Sequence, residues 1–141
     1  MRSATRRRIG KDPEYIAWLH EQPCVCCEIL RQVLILRGMT EPKIQRSKTE
    51  SAHVGDRGKS QMCPDWEAIP LCGPTDPSDG PVEGHHREGP TSQHKLGKKF
   101  WEYWQIDRDT LIAVLNSKYE QETGRGVGRG ESVLEAREVC A

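Results

Sequence analysis

Cys24 and Cys27, with two residues between them, are spaced as paired ligands on a short knuckle are. Further along come Glu50-Ser51-Ala52-His53, then Ile69-Pro70-Leu71-Cys72, the pair His85-His86, and His94. Together these residues supply ligands for two separate metal sites. Cysteine pairs suit a structural zinc closed by four ligands. A lone histidine followed by further histidines suits a catalytic metal with an open coordination position.

For the closed site, Cys72 is the natural third ligand, because the strand-like run Trp66 to Leu71 can deliver it to the knuckle, and His85 is the best fourth. Cys26 competes with either knuckle cysteine, and Cys63 competes with Cys72. His53 is the candidate general base: a neutral imidazole can take the proton of an attacking water while a divalent cation stabilises charge on a scissile phosphate. His86 and His94 are candidate ligands of that cation. On one uninterrupted helix they would lie roughly 12 Å apart along the axis. Gly89 and Pro90 break such a helix, so the chain can turn and let the two rings converge. Asp65 is a candidate oxygen ligand, with turn capping as its equal alternative.

These residues need a scaffold. The 141 residues suffice for one domain, and 35% hydrophobic against 30% charged residues implies a modest core that a metal staple would support. The basic segment Arg2 to Lys11 lacks the apolar stretch of a secretory signal, which predicts an intracellular, cytoplasmic protein whose six cysteines serve as metal ligands rather than disulfides. No apolar run is long enough to span a bilayer, so no membrane partner is expected. The formal net charge is zero, so charge must act locally. Arg2, Arg6, Arg7, Arg8 and Lys11 form an acid-free arm, and Arg87, Lys95, Lys98 and Lys99 cluster beside the histidines, where cations can hold phosphates.

The pattern divides the chain into a basic flexible arm over 1–11, a folded domain over 12–119 and a flexible Gly/Arg tract with a weak terminal helix over 120–141. Asp12-Pro13-Glu14 predicts a helix start, with Tyr15, Trp18 and Leu19 on its buried face and Pro23 ending it before the knuckle. Val33 to Leu36 reads as a short strand, with a helical turn as the alternative. Ser51 to Val54 and Trp66 to Leu71 are predicted strands of a long-looped hairpin whose loop carries Asp56, Arg57 and Lys59. Gly73 to Gly84 is a loop. A helix from Thr91 or Ser92 carries Leu96, Phe100 and Trp104, with Gly97 weakening it. Another, capped by Asp107 or Asp109, carries Leu111, Ile112, Val114, Leu115 and Tyr119 on its apolar face.

With CxxC, Ala52-His53-Val54, Pro64-Asp65, Ile69-Pro70-Leu71-Cys72 and His85-His86 as anchors, residues 12 to 106 resemble the HNH, or ββα-metal, endonuclease superfamily. Within it the chain is more similar to the phage-associated branch that includes RecA-dependent nucleases of the Ref type. The resemblance implies an α+β fold: a small zinc-stapled, treble-clef-like ββα-metal domain with flanking helices. It also implies hydrolysis of nucleic-acid phosphodiester bonds, DNA in the first place. A structural Zn2+ would sit on Cys24, Cys27, Cys72 and His85. A catalytic Mg2+ or other divalent cation would sit on His86, His94 and Asp65, with His53 as base. Phage or prophage origin in a bacterial host and a recombinase filament as further partner follow from the same branch. Ala52 stands where many members carry a metal-binding Asp or His, and the stretch from Cys72 to His85 is unusually long. Two other readings use fewer of these residues: a non-catalytic zinc-knuckle module that binds DNA or protein, which needs only the cysteines, and a metal-stapled scaffold that binds no nucleic acid.

Overall fold

The computed structural model describes residues 10–54 and 64–128. The arm residues Arg2, Arg6, Arg7 and Arg8, the loop residues Asp56, Arg57 and Lys59, Cys63, and the predicted terminal helix lie outside the described residues. Among the described residues the fold is α+β, with seven α-helices and strands in the order α1 (Pro13–His20), α2 (Val25–Leu36), β1 (Thr49–His53), β2 (Ala68–Cys72), α3 (Gln93–Leu96), α4 (Lys99–Trp104) and α5 (Arg108–Thr123). No described helix is long and apolar enough to cross a membrane.

β1 and β2 form a two-stranded sheet. Gly73 N donates to Lys48 O at 2.9 Å and Val54 N to Glu67 O at 3.3 Å, so β2 runs back along β1 as an antiparallel partner. Pro70 has no N–H to give, which a strand with an open edge tolerates. The turn Asp65–Glu67 that leads into β2 is 3-10 helix rather than the start of the predicted strand.

By their internal contacts the residues form two compact units. The first takes in Met1–Leu19, Ser51–Ile69 and Asp107–Ala141, as far as these are described. Asp12 starts α1 as expected: its Oδ1 accepts from Tyr15 N at 3.1 Å, and Pro13 occupies the first helical position. Tyr15 and Leu19 are fully buried. Tyr15, Trp18 and Tyr119 meet with ring centroids 5.2 to 5.6 Å apart, two of the three pairs edge to face. Asp107 caps α5 through Thr110 N at 3.0 Å, settling the choice between Asp107 and Asp109. Of the apolar face expected on α5, Leu115 and Tyr119 are buried, Leu111 and Ile112 are half-buried, and Val114 is exposed. The helix runs on to Thr123 and ends on Gly124 in the left-handed conformation, so a boundary at residue 119 falls inside it.

The second unit takes in His20–Glu50 and Pro70–Ile106. Here the strand expected at Val33 to Leu36 is instead the last turn of α2, which begins directly after Cys24. A four-residue branched run cannot distinguish strand from helix by periodicity, and the start signal is a cysteine: Cys24 Sγ accepts from Cys27 N at 3.5 Å, the place a serine or aspartate usually fills. The single helix expected from Ser92 through Trp104 is two. Ser92 caps the first through Lys95 N, and Gly97, at φ +57°, ends it before α4 begins. Phe100 and Trp104 of α4 are buried as predicted. The loop after Cys72 contains one short 3-10 turn, Pro77–Asp79, capped by Asp76.

Candidate functional site

Cys24 and Cys27 are brought to one point by the first turn of α2, and Cys72 by the end of β2. His85 is delivered by the backbone: the N–H groups of His85 and His86 both donate to Cys72 O, at 3.1 and 3.0 Å. That turn requires glycine. A Cβ on Gly84 would fall 2.7 Å from Gly73 O and 2.8 Å from Arg87 O. Gln45 fixes the knuckle from the other side. Its Oε1 accepts from Cys24 N at 2.8 Å while its Nε2 donates to Ser47 O and Thr49 Oγ1.

His85 Nδ1 stands 3.4 Å from Cys24 Sγ, 3.4 Å from Cys27 Sγ and 3.2 Å from Cys72 Sγ, and the last two sulfurs are 3.8 Å apart. A zinc tetrahedron with Zn–S of ~2.3 Å and Zn–N of ~2.0 Å has edges of about 3.8 Å between sulfurs and about 3.5 Å between sulfur and nitrogen. These four separations are close to those edges, and all the ligand atoms lie within 4.8 Å of one another. Among the described residues this Cys3His group is the one set of three or more such side chains with all ligand atoms within 4.8 Å, and it can hold a metal ion such as zinc. Cys26 is buried but outside the set, and Cys63 lies outside the described residues. Hydrogen bonds with Cys26, Cys27 and Cys72 hold the Cys24 thiol far below its ordinary value, while hydrogen bonds with Cys24 and Cys72, together with burial, push Cys27 up. Burial lowers His85, but hydrogen bonds with Cys24 and Cys72 outweigh it and raise the ring to about 9. Trp104 packs edge-on against His85 at 5.1 Å and is itself tied to Thr91 O through its indole N–H.

The candidate catalytic histidines fall into two groups, one in each unit. In the first, His53 Nε2 lies 2.9 Å from Asp65 Oδ1. Asp65 is buried at 6% exposure, and its other oxygen accepts from Asp12 N at 2.7 Å. Burial works to raise the Asp65 carboxyl, yet its hydrogen bonds with His53 and Asp12 bring it below its ordinary value. An ionised carboxylate only accepts, so the Nε2–H of His53 donates to it and Nδ1 keeps the lone pair. Asp65 therefore meets His53 with one oxygen and the start of α1 with the other.

In the second unit the chain does turn between His86 and His94. His94 N donates to His86 O at 3.1 Å, and the two rings meet at 4.8 Å between centroids. His86 Nδ1 lies 2.8 Å from Glu50 Oε1, a residue to which the sequence assigned no role. The Arg87 fork grips the same carboxylate at 3.1 and 3.0 Å and holds it well below the usual range, at about 2. Arg87, for which the sequence suggested a phosphate contact, pairs with Glu50 and keeps its side chain 45% exposed. Burial lowers His86. Lys95, Lys98 and Lys99 are exposed on and beside α3 and α4.

The fold and site define an α+β chain with a Cys3His group able to hold a metal ion such as zinc. Comparison with protein-family models, with curated proteins and with solved structures gave no match in any of the three.

Proposed function

We propose that this chain is a metal-dependent endonuclease that hydrolyses phosphodiester bonds, of DNA in the first place, with His53 as general base. The observation that carries the reading is the His53–Asp65 pair: a half-buried imidazole held through Nε2 by a buried carboxylate at 2.9 Å, which leaves Nδ1 to receive a proton. This is how a base is oriented when it must take a proton from water in a fixed direction. A surface histidine of no function needs no such partner.

In the second unit His86 and His94, with their rings together, are the ligands for a divalent cation, magnesium or another. Such a cation supplies charge stabilisation to phosphate oxygens. The Cys3His group serves as a structural zinc site that orders the turn carrying His85 and His86. Lys95, Lys98 and Lys99 offer charge to phosphates without a base-reading element, so sequence preference is weak.

Incubation of the zinc-loaded protein with plasmid and with single-stranded DNA, under magnesium, manganese and chelator, tests the reading beside His53→Ala. The expected result is divalent-dependent cleavage that falls by about 10²-fold or more in the variant, with zinc content and helix content retained. Cleavage by His53→Ala at the parental rate removes His53 as the base.

A further inference from the structure

The glycine-arginine tract that follows α5 stays with the first unit as far as it is described. Gly124 turns the chain in the left-handed conformation, the Arg125 guanidinium meets the Glu14 carboxylate, and Gly128 is buried. Gly128 N donates to Asp12 Oδ2 at 2.8 Å, while Asp12 Oδ1 accepts from Tyr15 N at 3.1 Å. Both oxygens of a side chain only 7% exposed are thus held, and the N–H of the same residue donates to Asp65 Oδ2 at 2.7 Å. A second contact reaches the same turn. A Cβ on Gly128 would fall 2.9 Å from Cη2 and Cζ3 of Trp66, the buried neighbour of Asp65 in the chain. Gly128 also sits at φ +64°, so glycine is required there on two counts. Asp65 Oδ1 in turn lies 2.9 Å from His53 Nε2.

We infer that Gly128 and Asp12 form a latch that positions His53: Gly128 fixes Asp12 through its amide and Trp66 through its bare α-carbon, and these two neighbours fix the Asp65 carboxylate against which the His53 ring is set. The inference deepens the endonuclease reading and rests on His53 acting as the base there. Gly128 and Asp12 touch no substrate and act only through Asp65. Placement of this kind matters to rate, since a shift of about 1 Å in a reacting group can cost about 10²-fold. The latch joins residues 116 apart in the chain, so a tract whose composition reads as a linker becomes part of the support of the site. Opening it releases the tract without unfolding α5, which keeps its own helical hydrogen bonds.

The test is made on the full chain with its zinc bound, by nuclear magnetic resonance and by plasmid cleavage under a divalent cation. Native protein is expected to show slow exchange of the Asp12, Asp65 and Gly128 amides and one set of His53 ring signals. In Gly128→Ala the amide at that position should lose its protection, the Asp12 amide should exchange about tenfold faster and the His53 ring signals should shift, with the amides of α5 unchanged. The same variant should lose about tenfold or more in kcat with KM unchanged. Asp12→Ser, which keeps a cap for Tyr15 N and gives up the second oxygen, should reproduce this pattern. Gly126→Ala lies in the same tract with nothing within 4 Å of the added carbon, and should behave as native protein. A native Gly128 amide that exchanges at the open-chain rate overturns the inference even if neither latch variant folds. So does a folded Gly128→Ala with native Asp12 exchange and native His53 signals, or one that cleaves with native kcat. Absence of DNA cleavage alongside the expected exchange and ring results supports the latch and counts against the endonuclease reading alone.

Discussion

The two units of this chain are held together by different physics. In the first, the centre is apolar: Tyr15, Trp18 and Tyr119 meet ring to ring, Leu19 and Leu115 are buried, and the polar groups admitted there, Asp12 and Asp65, are hydrogen-bonded. In the second, the cluster of Cys24, Cys27, Cys72 and His85 is joined by fewer buried apolar side chains, among them Leu71, Phe100 and Trp104. α2 even leaves Leu30, Val33, Ile35 and Leu36 exposed instead of spending them on a core. A unit of this size can supplement apolar burial with ligand bonds, and if its Cys3His group holds zinc its order should depend on that ion as well as on buried area.

The largest expected effect follows from that dependence. Structural zinc supplies about 10–16 kcal/mol of apparent folding free energy in small knuckles, which matches or exceeds the ~5–15 kcal/mol by which a domain is stable. A strong chelator should therefore abolish hydrogen-exchange protection in α2, α3 and α4 while the amides of α1 and α5 keep theirs. Equal loss in both sets would erase the distinction between the units.

A smaller effect should run the other way. Tyr119→Ala removes the ring that meets both Tyr15 and Trp18 and should destabilise the first unit by about 3 kcal/mol, within the range for deleting a buried aromatic side chain. Urea titration followed by tryptophan fluorescence would measure it. Zinc stoichiometry should stay unchanged, and a loss of zinc in this variant would mean that the aromatic cluster also supports the knuckle.

The smallest is Ser92→Ala. Ser92 is fully buried and caps a four-residue helix through Lys95 N at 3.2 Å, so its loss should cost about 1 kcal/mol. With zinc bound the ligand bonds should mask this cost. It should emerge as a lower chelator concentration at half-unfolding, and a Ser92→Ala protein that melts earlier by the same margin with and without zinc would show that the cluster is not what limits the second unit.

The metal group could be read from the chain because cysteine spacing and ligand type carry it locally: Cys24-x-x-Cys27 names its own chemistry, and Cys72 follows a legible strand. Asp12 and Asp107 were legible as caps for the same reason. The helix α2 was not, since its start is marked by a thiol and its end by a branched run that suits a strand equally well. Nor was Glu50, whose meaning comes from His86 and Arg87 some 36 residues later. Asp65 sat between, visible as a site carboxylate but with its partners His53 and Asp12 set by the tertiary fold. Gln45 lies in a connector whose polarity says nothing of the hydrogen bond it makes to Cys24. Local chemistry was readable, and of the pairings across the chain only those announced by ligand type or strand pattern were.

The most direct measurement of the account is the metal content of the purified full chain, beside that of Cys72→Ser. One tightly held zinc per chain is predicted, with Cys72→Ser losing the ion and the protection of α2, α3 and α4 together. A native protein that is fully folded without zinc, and a Cys72→Ser variant as stable as its parent, would contradict it.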